Sequence, residues 1–503
     1  MSANNQRSIL HELEKTKIKL KQKLAYFEKE RAVTASPDRK FELQERIEEC
    51  QQEIERINKT IESILKEIKS PNNQSYLPLQ KKDSYKTLEG LNCKNKKPNY
   101  KKGSILNTIL VSLLTTIIIV FIRQLGLLEG LELRTFDNML RQRPHEEIDQ
   151  RLLIVKVTEE DISKYGYPLP DTILLQLLEK LNQHKPRVTG LGLYRDQPQG
   201  SNYSEFIRHL HENRLLVASC HVGENNSEDP SIAPPSKFPK DRLGFDDVIA
   251  DQDHILRRYL LSLNTNKTSI CNTNSFGFTL ALQYLKNRGI KPKIIDEHKV
   301  KIGNVIFSPL EKNMGGYQKI DDQGYQILIN YRASQQIAQE VTITEILTGQ
   351  VDPDWVQNKI VIIGYTAKSV TRVFATPYSK VQQPNKSVPG LLIHAHAVSQ
   401  IISAALDKRP LIRSWTQWSE HLWIAFWSII GGLTVLYVRS FLWRILVVLT
   451  ALFFVYTSCF FLFSKGIWIP FVPPLIALIL TMINTLISLR LVLKVGRSGQ
   501  ERY

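Results

Sequence analysis

The sequence lacks the marks of a catalyst. It has no G-x-S-x-G elbow and no H-E-x-x-H pair, which removes two common hydrolase arrangements. Gly364-Tyr365-Thr366-Ala367-Lys368-Ser369 follows a predicted strand and ends in Lys-Ser. A phosphate loop needs one glycine directly before that lysine and another five residues earlier. Ala367 and Ile362 stand there instead, so an ordinary strand-to-helix turn is expected. His394 and His396 have no third ligand at metal spacing. His394 reads as a hydrogen-bonded histidine at a helix start. No cofactor, no metal and no enzymatic activity are expected.

Charge is missing from the middle of four apolar runs: Ile105–Ile122, Leu422–Val438, Ile445–Phe463 and Trp468–Leu491. A bilayer core needs roughly 20 mostly apolar residues as helix. Pores and transporters usually bury polar residues in their spans, so the 1 + 3 layout fits a sensor better. The long segment between the first two runs then forms one folded domain on one side of a membrane.

The net charge of +17 and pI of about 9.4 would suit nucleic acid. The distribution of charge argues against it. Eight lysines stand against Asp83 and Glu89 between Lys81 and Lys102, directly before the first run. Such a flank marks the cytoplasmic side and attracts anionic headgroups. Arg439 and Arg444 lie between the second and third runs, and Lys494, Arg497 and Arg502 follow the fourth. The expected topology has both termini cytoplasmic, the large domain periplasmic or extracellular, and the chain multi-pass in the cell (inner) membrane. The first run begins too late for a cleaved secretory signal and reads as a retained anchor.

Cysteine is scarce, with five in 503 residues. Only Cys220 and Cys271 fall in the predicted external domain. In an oxidising compartment they are a disulfide candidate; the alternative is two buried free thiols.

Residues 1–70 read as a helical hairpin. In the second helix, 37–69, Ile47, Cys50, Ile54, Ile57, Ile61, Ile64 and Ile68 alternate three and four apart, the seam of a coiled coil. The first helix, 6–33, repeats it through Leu13, Lys17, Leu20, Leu24 and Phe27. A lone hairpin has little core, so homodimerisation or docking of a cytosolic effector is expected; the alternative is a solubilising stalk. Basic–aromatic interleaving is absent, so no nucleic acid is expected. Residues 71–103 read as a basic linker and 492–503 as a cytosolic tail.

In the external domain, 125–412, strands are predicted at Leu152–Val157, Arg187–Leu193, Leu215–Ser219, Gln326–Tyr331 and Lys359–Gly364. Helices are predicted at Thr172–Leu181, Phe276–Leu285 and Leu391–Leu406. The apolar strands are continuous rather than alternating, which implies burial on both faces and an α/β fold with a mostly parallel layered sheet. A loop at 221–242 carries four prolines, and long loops often carry recognition. Arg257-Arg258 could meet an anionic ligand by bidentate bonding, or form a surface pair supporting the acidic turn before it.

Several segments, in order, resemble the second family of CHASE-type domains (cyclases/histidine kinases associated sensory extracellular). They are Leu131-Glu132-Leu133-Arg134-Thr135-Phe136-Asp137, Arg141-Gln142-Arg143-Pro144, Tyr167-Pro168-Leu169-Pro170-Asp171 and Gly190-Leu191-Gly192-Leu193-Tyr194-Arg195-Asp196. Ile232-Ala233-Pro234-Pro235, Leu243-Gly244-Phe245 and Asp251-Gln252-Asp253 with Arg257-Arg258 follow. Val361-Ile362-Ile363-Gly364 then leads to Thr366-Ala367, Thr376-Pro377 and Pro389-Gly390 with Ile393-His394-Ala395. The resemblance covers roughly 125–410. It implies a sensor of an unknown external ligand and three spans after the domain, and it strengthens the Cys220–Cys271 pairing, seen in many cyanobacterial members. Tyr194, Arg195, Asp196, Arg257, Arg258, Thr366 and His394 are its ligand-site candidates. Gly192 and Arg372 stand where the family usually has Asp. Family members usually carry a kinase or cyclase module after the last span; about a dozen residues follow it here, so the output is expected from the N-terminal arm or a separate protein. A scaffold with no ligand is the alternative function.

Overall fold

The computed structural model describes residues 16, 17, 20, 24, 37–68, 100–223, 229–263, 271–333, 336–379, 387–438 and 440–500. The predicted first helix, apart from four positions, and most of the predicted linker lie outside these residues. So do part of the proline loop and the last three residues. The chain divides into two compact units, Met1–Lys96 and Lys97–Tyr503.

In the first unit, α1 (Pro37–Ile68) carries the isoleucine seam. Leu43 and Ile47 are buried, with Leu24 packed against them. Further along, Ile54, Ile57 and Ile61 are only half covered.

The second unit opens with α2 (Tyr100–Gln124), then α3 (Glu129–Arg141). β1 (Leu152–Val157), α4 (Glu159–Tyr165), α5 (Asp171–Gln183), β2 (Val188–Gly192), α6 (Tyr203–Glu212), β3 (Leu216–Cys220) and β4 (Leu243–Phe245) follow. Next come β5 (Arg258–Ser262), α7 (Phe276–Lys286), β6 (Lys293–Asp296), β7 (Lys299–Ile302), β8 (Val305–Phe307) and β9 (Tyr325–Leu328). β10 (Gln339–Thr342), α8 (Ile343–Leu347), β11 (Ile360–Tyr365), β12 (Val373–Phe374), β13 (Val388–Pro389) and α9 (Gly390–Asp407) complete the domain. β14 (Arg413–Ser414), α10 (Gln417–Tyr437), α11 (Phe441–Ser464), β15 (Ile467–Trp468) and α12 (Val472–Gln500) end the description.

The central sheet has the order β10-β1-β11-β2-β3-β4, and every pairing in it is parallel. Both faces are covered, as the continuous apolar strands require. Leu153, Val155, Val361, Ile363 and Leu191 face one layer with α5, α6 and α8. Leu152, Ile154, Ile360, Ile362 and Val188 face the other, with α7 and α9. Two helices are started by reciprocal side-chain caps: Thr158 with Asp161 for α4, and Thr342 with Glu345 for α8.

The strand predicted at Gln326–Tyr331 forms as β9, over Tyr325–Leu328. It lies outside the central sheet, where β9 pairs antiparallel with β5. Gln326 is buried there because its side chain bonds Arg258 and the Asp321 carbonyl.

Among the described residues, four helices are long and apolar enough to cross a membrane: Ile105–Gln124, Gln417–Tyr437, Phe441–Ser464 and Val472–Leu491. The last starts four residues after the predicted Trp468. Trp468 belongs to β15, which pairs with β14, and Pro470 separates it from the helix. α2, α10 and α12 pack together through small and hydroxyl-bearing side chains. Ser428 donates to the Ser112 carbonyl at 2.9 Å and meets Thr481 at 2.7 Å. A Cβ at Gly431 would lie 2.4 Å from the Leu478 carbonyl oxygen, so only glycine lets those two helices approach this closely.

Cys220 and Cys271 are joined, with Cα atoms 6.0 Å apart. The bridge ties the end of β3 to the segment leading into α7. Closing a loop of 51 residues stabilises by about 4 kcal/mol on the chain-entropy account. Cys220→Ser in the full chain should therefore lower the melting temperature by several degrees, as should reductant on the wild type. Two thiols open to alkylation in the native, unreduced protein would overturn the pairing.

Candidate functional site

In an open parallel sheet, ligands bind in the crevice outside the carboxyl ends of the strands. A cavity of about 370 Å³ lies at that edge. Each neighbouring strand delivers a polar side chain just past its end. β2 gives Tyr194, β3 gives His221, β4 gives Asp246 and Asp247, and β11 ends in Tyr365. Arg372, from the turn after β11, and His394, in the first turns of α9, close the wall.

The polar side chains engage one another. Tyr194 donates its hydroxyl to Asp246 at 2.5 Å. His221 Nδ1 lies 3.1 Å from Asp246 and 3.5 Å from Asp247, and its Nε2 lies 3.1 Å from Asp229. Carboxylates at both nitrogens require both to donate, so His221 is an imidazolium. Its pKa is pushed up to about 9, chiefly by the Asp246 bond, with Asp247 and Asp229 adding to it against burial. Asp247 is held by the backbone N–H groups of Val222 and Gly223, at 2.9 and 2.8 Å. Arg372 donates to Asp229 at 2.8 Å. Burial works to raise the Asp229 carboxyl, but His221 and Arg372 outweigh it and hold it below the usual range. Tyr194 is pushed well above its ordinary value by burial and by Asp246, so it remains a donor.

His394 has a different character. Tyr259 accepts the Gly277 N–H at 3.1 Å and meets His394 Nδ1 at 2.8 Å. Burial depresses the His394 pKa, and the ring is neutral. The cavity thus sets an imidazolium, a guanidinium and three carboxylates beside a neutral imidazole.

His221, Asp229 and Asp247 offer donor atoms within 4.8 Å of one another, a possible cation set. A metal would have to displace a proton held at about 9, which costs about 3 kcal/mol at pH 7. Arg372 also already neutralises Asp229. The chemistry better suits a small polar molecule that exchanges hydrogen bonds with Tyr194, Arg372 and the carboxylates.

Of the sequence candidates, Tyr194 and His394 line the cavity. Arg195 is buried behind it, bonding the Leu169 and Tyr194 carbonyls and lying 3.3 Å from Asp171. It fastens β2 to the turn before α5. Asp196 is exposed. Thr366 bonds the Val157 carbonyl through its backbone N–H at 3.0 Å, joining β11 to β1. Arg257 and Arg258 are neither a surface pair nor in this cavity. Arg257 is fully buried, bonded to Asp137, Asp251 and Asp253. Arg258 donates to Asp251 and Gln326. Both departures, Gly192 and Arg372, line the cavity. A Cβ at Gly192 would lie 3.0 Å from the Ile363 carbonyl oxygen and 3.2 Å from Leu391, so a larger side chain there needs its neighbours to give way.

His221, Asp229, Asp246 and Asp247 were missed by sequence reasoning. Three of them had a usable signal. His221 follows a strand, and the Asp246-Asp247 pair follows Leu243-Gly244-Phe245, which is short but sits at a strand end.

A parallel α/β domain set on apolar helices, with a polar cavity at its carboxyl edge, has the form of a ligand-recognition domain carried on a membrane. The family model for the CHASE2 domain matches residues 114–433, well over half of the chain. The chain belongs to the CHASE2 family of sensory extracellular domains. No curated protein and no solved structure matches it.

His221 gives the site a pH signature. Its folded pKa of about 9 exceeds the ordinary 6.5. The stabilisation is fully present below about 6.5 and is lost as pH rises through about 9. Wild-type stability should fall by up to about 3 kcal/mol across that window, and His221→Ala should flatten this part of the profile. Identical slopes in the two proteins, followed by thermal melting from pH 6 to pH 10, would refute the assignment.

Proposed function

We propose that the chain is a multi-pass membrane sensor whose sheet-edge cavity takes a small polar stimulus molecule and relays its occupancy to the membrane helices. In this reading the domain lies outside the cell membrane and both termini lie in the cytoplasm. The observation that carries it is one continuous segment, Asp246–Arg257. Its first two residues line the cavity. Its Asp251 accepts from Tyr317 at 2.8 Å and from both arginines. At its end, Arg257 grips Asp137 of α3 at 2.7 and 2.8 Å.

α3 rests on the foot of the last membrane helix. Phe136 packs against Trp468 at 4.8 Å, and Trp468 also meets Tyr317 at 5.8 Å. Glu132 accepts the Phe471 N–H at 2.9 Å and the Val472 N–H at the start of α12. A shift of the Asp246–Asp247 end therefore has a packed and hydrogen-bonded route to α3 and α12. A ligand moves that equilibrium only by binding one arrangement better than the other. Beyond the bilayer, the half-covered seam of α1 would carry the output by pairing with a second copy or a cytosolic effector.

The test uses the full chain in detergent against a panel of amino acids, small carboxylates and salts. A hundredfold excess over the dissociation constant stabilises by about 2.7 kcal/mol, a shift of several degrees. The active compound should protect cavity amides in hydrogen exchange and change exchange in α3. Tyr317→Phe, costing about 1 kcal/mol, should keep the first effect and weaken the second. A panel without any shift would favour a scaffold with no ligand.

The arm is tested separately. Ile54→Asp with Ile61→Asp puts two charges on the seam, each costing several kcal/mol if buried. Cross-linking of the full chain through its cytosolic arm should collapse in the double variant, with melting of the external domain unchanged. Equal cross-linking in both proteins would make α1 a passive stalk.

A further inference from the structure

A second cavity, of about 320 Å³, opens between the end of α2, the Asn313–Lys319 loop and the start of α10. It lies apart from the sheet edge, and its loop also carries Tyr317. The apolar spans of α2 and α10 end at Gln124 and begin at Gln417. The cavity therefore sits at the level where these helices leave the hydrocarbon.

Its walls are of two kinds. Phe121 and Leu125 are apolar, and they are 59% and 54% exposed. They cap one face of α2 running through Leu110, Leu114 and Ile117, each more than half exposed. Acyl chains cover such a face in a bilayer. The remaining wall is polar and cationic, with Arg123, Lys319, Gln417 and His421 among its residues. No carboxylate lines it among the described residues.

Two features point to an anion. α10 begins here, and its N-cap Thr416 makes no side-chain cap bond. A helix start of this kind offers backbone donors and the positive end of the dipole. Arg123 is only 5% exposed and lines the same space. It is paired with Glu420 and donates to the Gly315 carbonyl at 2.6 Å, yet its Nε has no partner. With Lys319, it gives the cavity two cationic side chains.

The loop presents the second cation. Lys319 has φ +59°, in the left-handed region. Its N–H donates to Asn313 Oδ1 at 2.9 Å, while Gln417 donates to the Asn313 carbonyl at 3.3 Å. The loop is thus stitched to the start of α10, with the Lys319 side chain at the cavity. No ion pair engages Lys319 among the described residues.

We propose that this cavity binds the phosphate of a membrane phospholipid headgroup, with an acyl chain lying along the Leu114–Phe121 face of α2. Lys319, Arg123 and the first turn of α10 meet the phosphate oxygens. Phosphate is the shared chemistry, and a free phosphate ion is the other source to be tested. Because α2, α10 and the loop meet here, a bound lipid bridges the external domain to two membrane helices.

The experiment is native mass spectrometry of the full chain released from detergent. Wild-type protein, Lys319→Glu and Lys319→Arg are each incubated with phosphatidylglycerol, phosphatidylcholine or sodium phosphate. The wild type should retain one phospholipid. Lys319→Glu should weaken that retention about tenfold, and Lys319→Arg should restore it. Lys319 is exposed, so melting of Lys319→Glu should match the wild type and separate loss of lipid from loss of fold. Equal lipid retention by the wild type and Lys319→Glu would overturn the proposal. Saturation by sodium phosphate without retention of either lipid would overturn the lipid assignment and make the site one for a soluble anion.

Discussion

The buried Arg257 guanidinium is the interaction on which the arrangement of this protein depends. It is 0% exposed and is held by three carboxylates from two places in the chain. Asp137 comes from α3, which leads out of the first membrane helix. Asp251 and Asp253 come from the segment that leaves the sheet-edge cavity. A guanidinium stripped of water is tolerated only when its donors are filled, and removing one partner of such a group typically costs 3–5 kcal/mol. The cluster therefore does more than add stability. It forces α3 and the Asp246–Arg257 segment to keep one relative position, because parting them would leave charge buried without a partner.

That constraint gives the sheet edge its leverage. The crevice at the carboxyl ends of the strands is a consequence of all-parallel topology, since every strand end and the loop after it point the same way. Side chains one residue beyond β3 and β4 are fixed by rigid backbone on one side and remain free to face a ligand on the other. His221 is anchored further by the disulfide at its neighbour Cys220. Asp246 and Asp247 have less support, being followed by a loop that runs straight to the buried cluster. In the proposed reading, a ligand bonding to these carboxylates would act on a segment that is also tied to α3.

Much of the fold was legible because its core strands are short apolar runs with no polar interruption. Leu152–Val157 and Lys359–Gly364 could hardly be anything but strands buried on both faces. β4 and β10 were not legible. Leu-Gly-Phe is too short to show a period, and Gln-Glu-Val-Thr is polar; both become strands only by pairing with a neighbour already in place. Gln326–Tyr331 was legible as a strand, but its place in a separate antiparallel pair with β5 was not. For the site, Tyr194 and His394 could be found from motif resemblance. His221 and the Asp246-Asp247 pair carried only the signal of their place after a strand, since their joint role comes from the side-by-side order of β2, β3 and β4. The arginine pair was visible, but a sequence does not reveal that its partners include an aspartate 120 residues earlier.

The apolar helices below this cluster are joined by contacts of a different kind. α2, α10 and α12 meet through glycine, serine and threonine, with interhelical hydrogen bonds at Ser428, Thr481, Asn107 and Ser488. Interfaces of this kind hold backbones close, and their hydrogen bonds are worth only about 0.6–2 kcal/mol each. They constrain position without locking it, so a small displacement at one end can move a helix against its neighbours. The junction above them is the reverse. Glu132 at the start of α12, Trp468 between Phe136 and Tyr317, and Arg123 against Glu420 are buried groups whose partners must move with them. Stiff contacts at the ends of the apolar helices and looser ones along them are the arrangement that the proposed relay would need, with a shift of α3 passed to the helices and taken up between them.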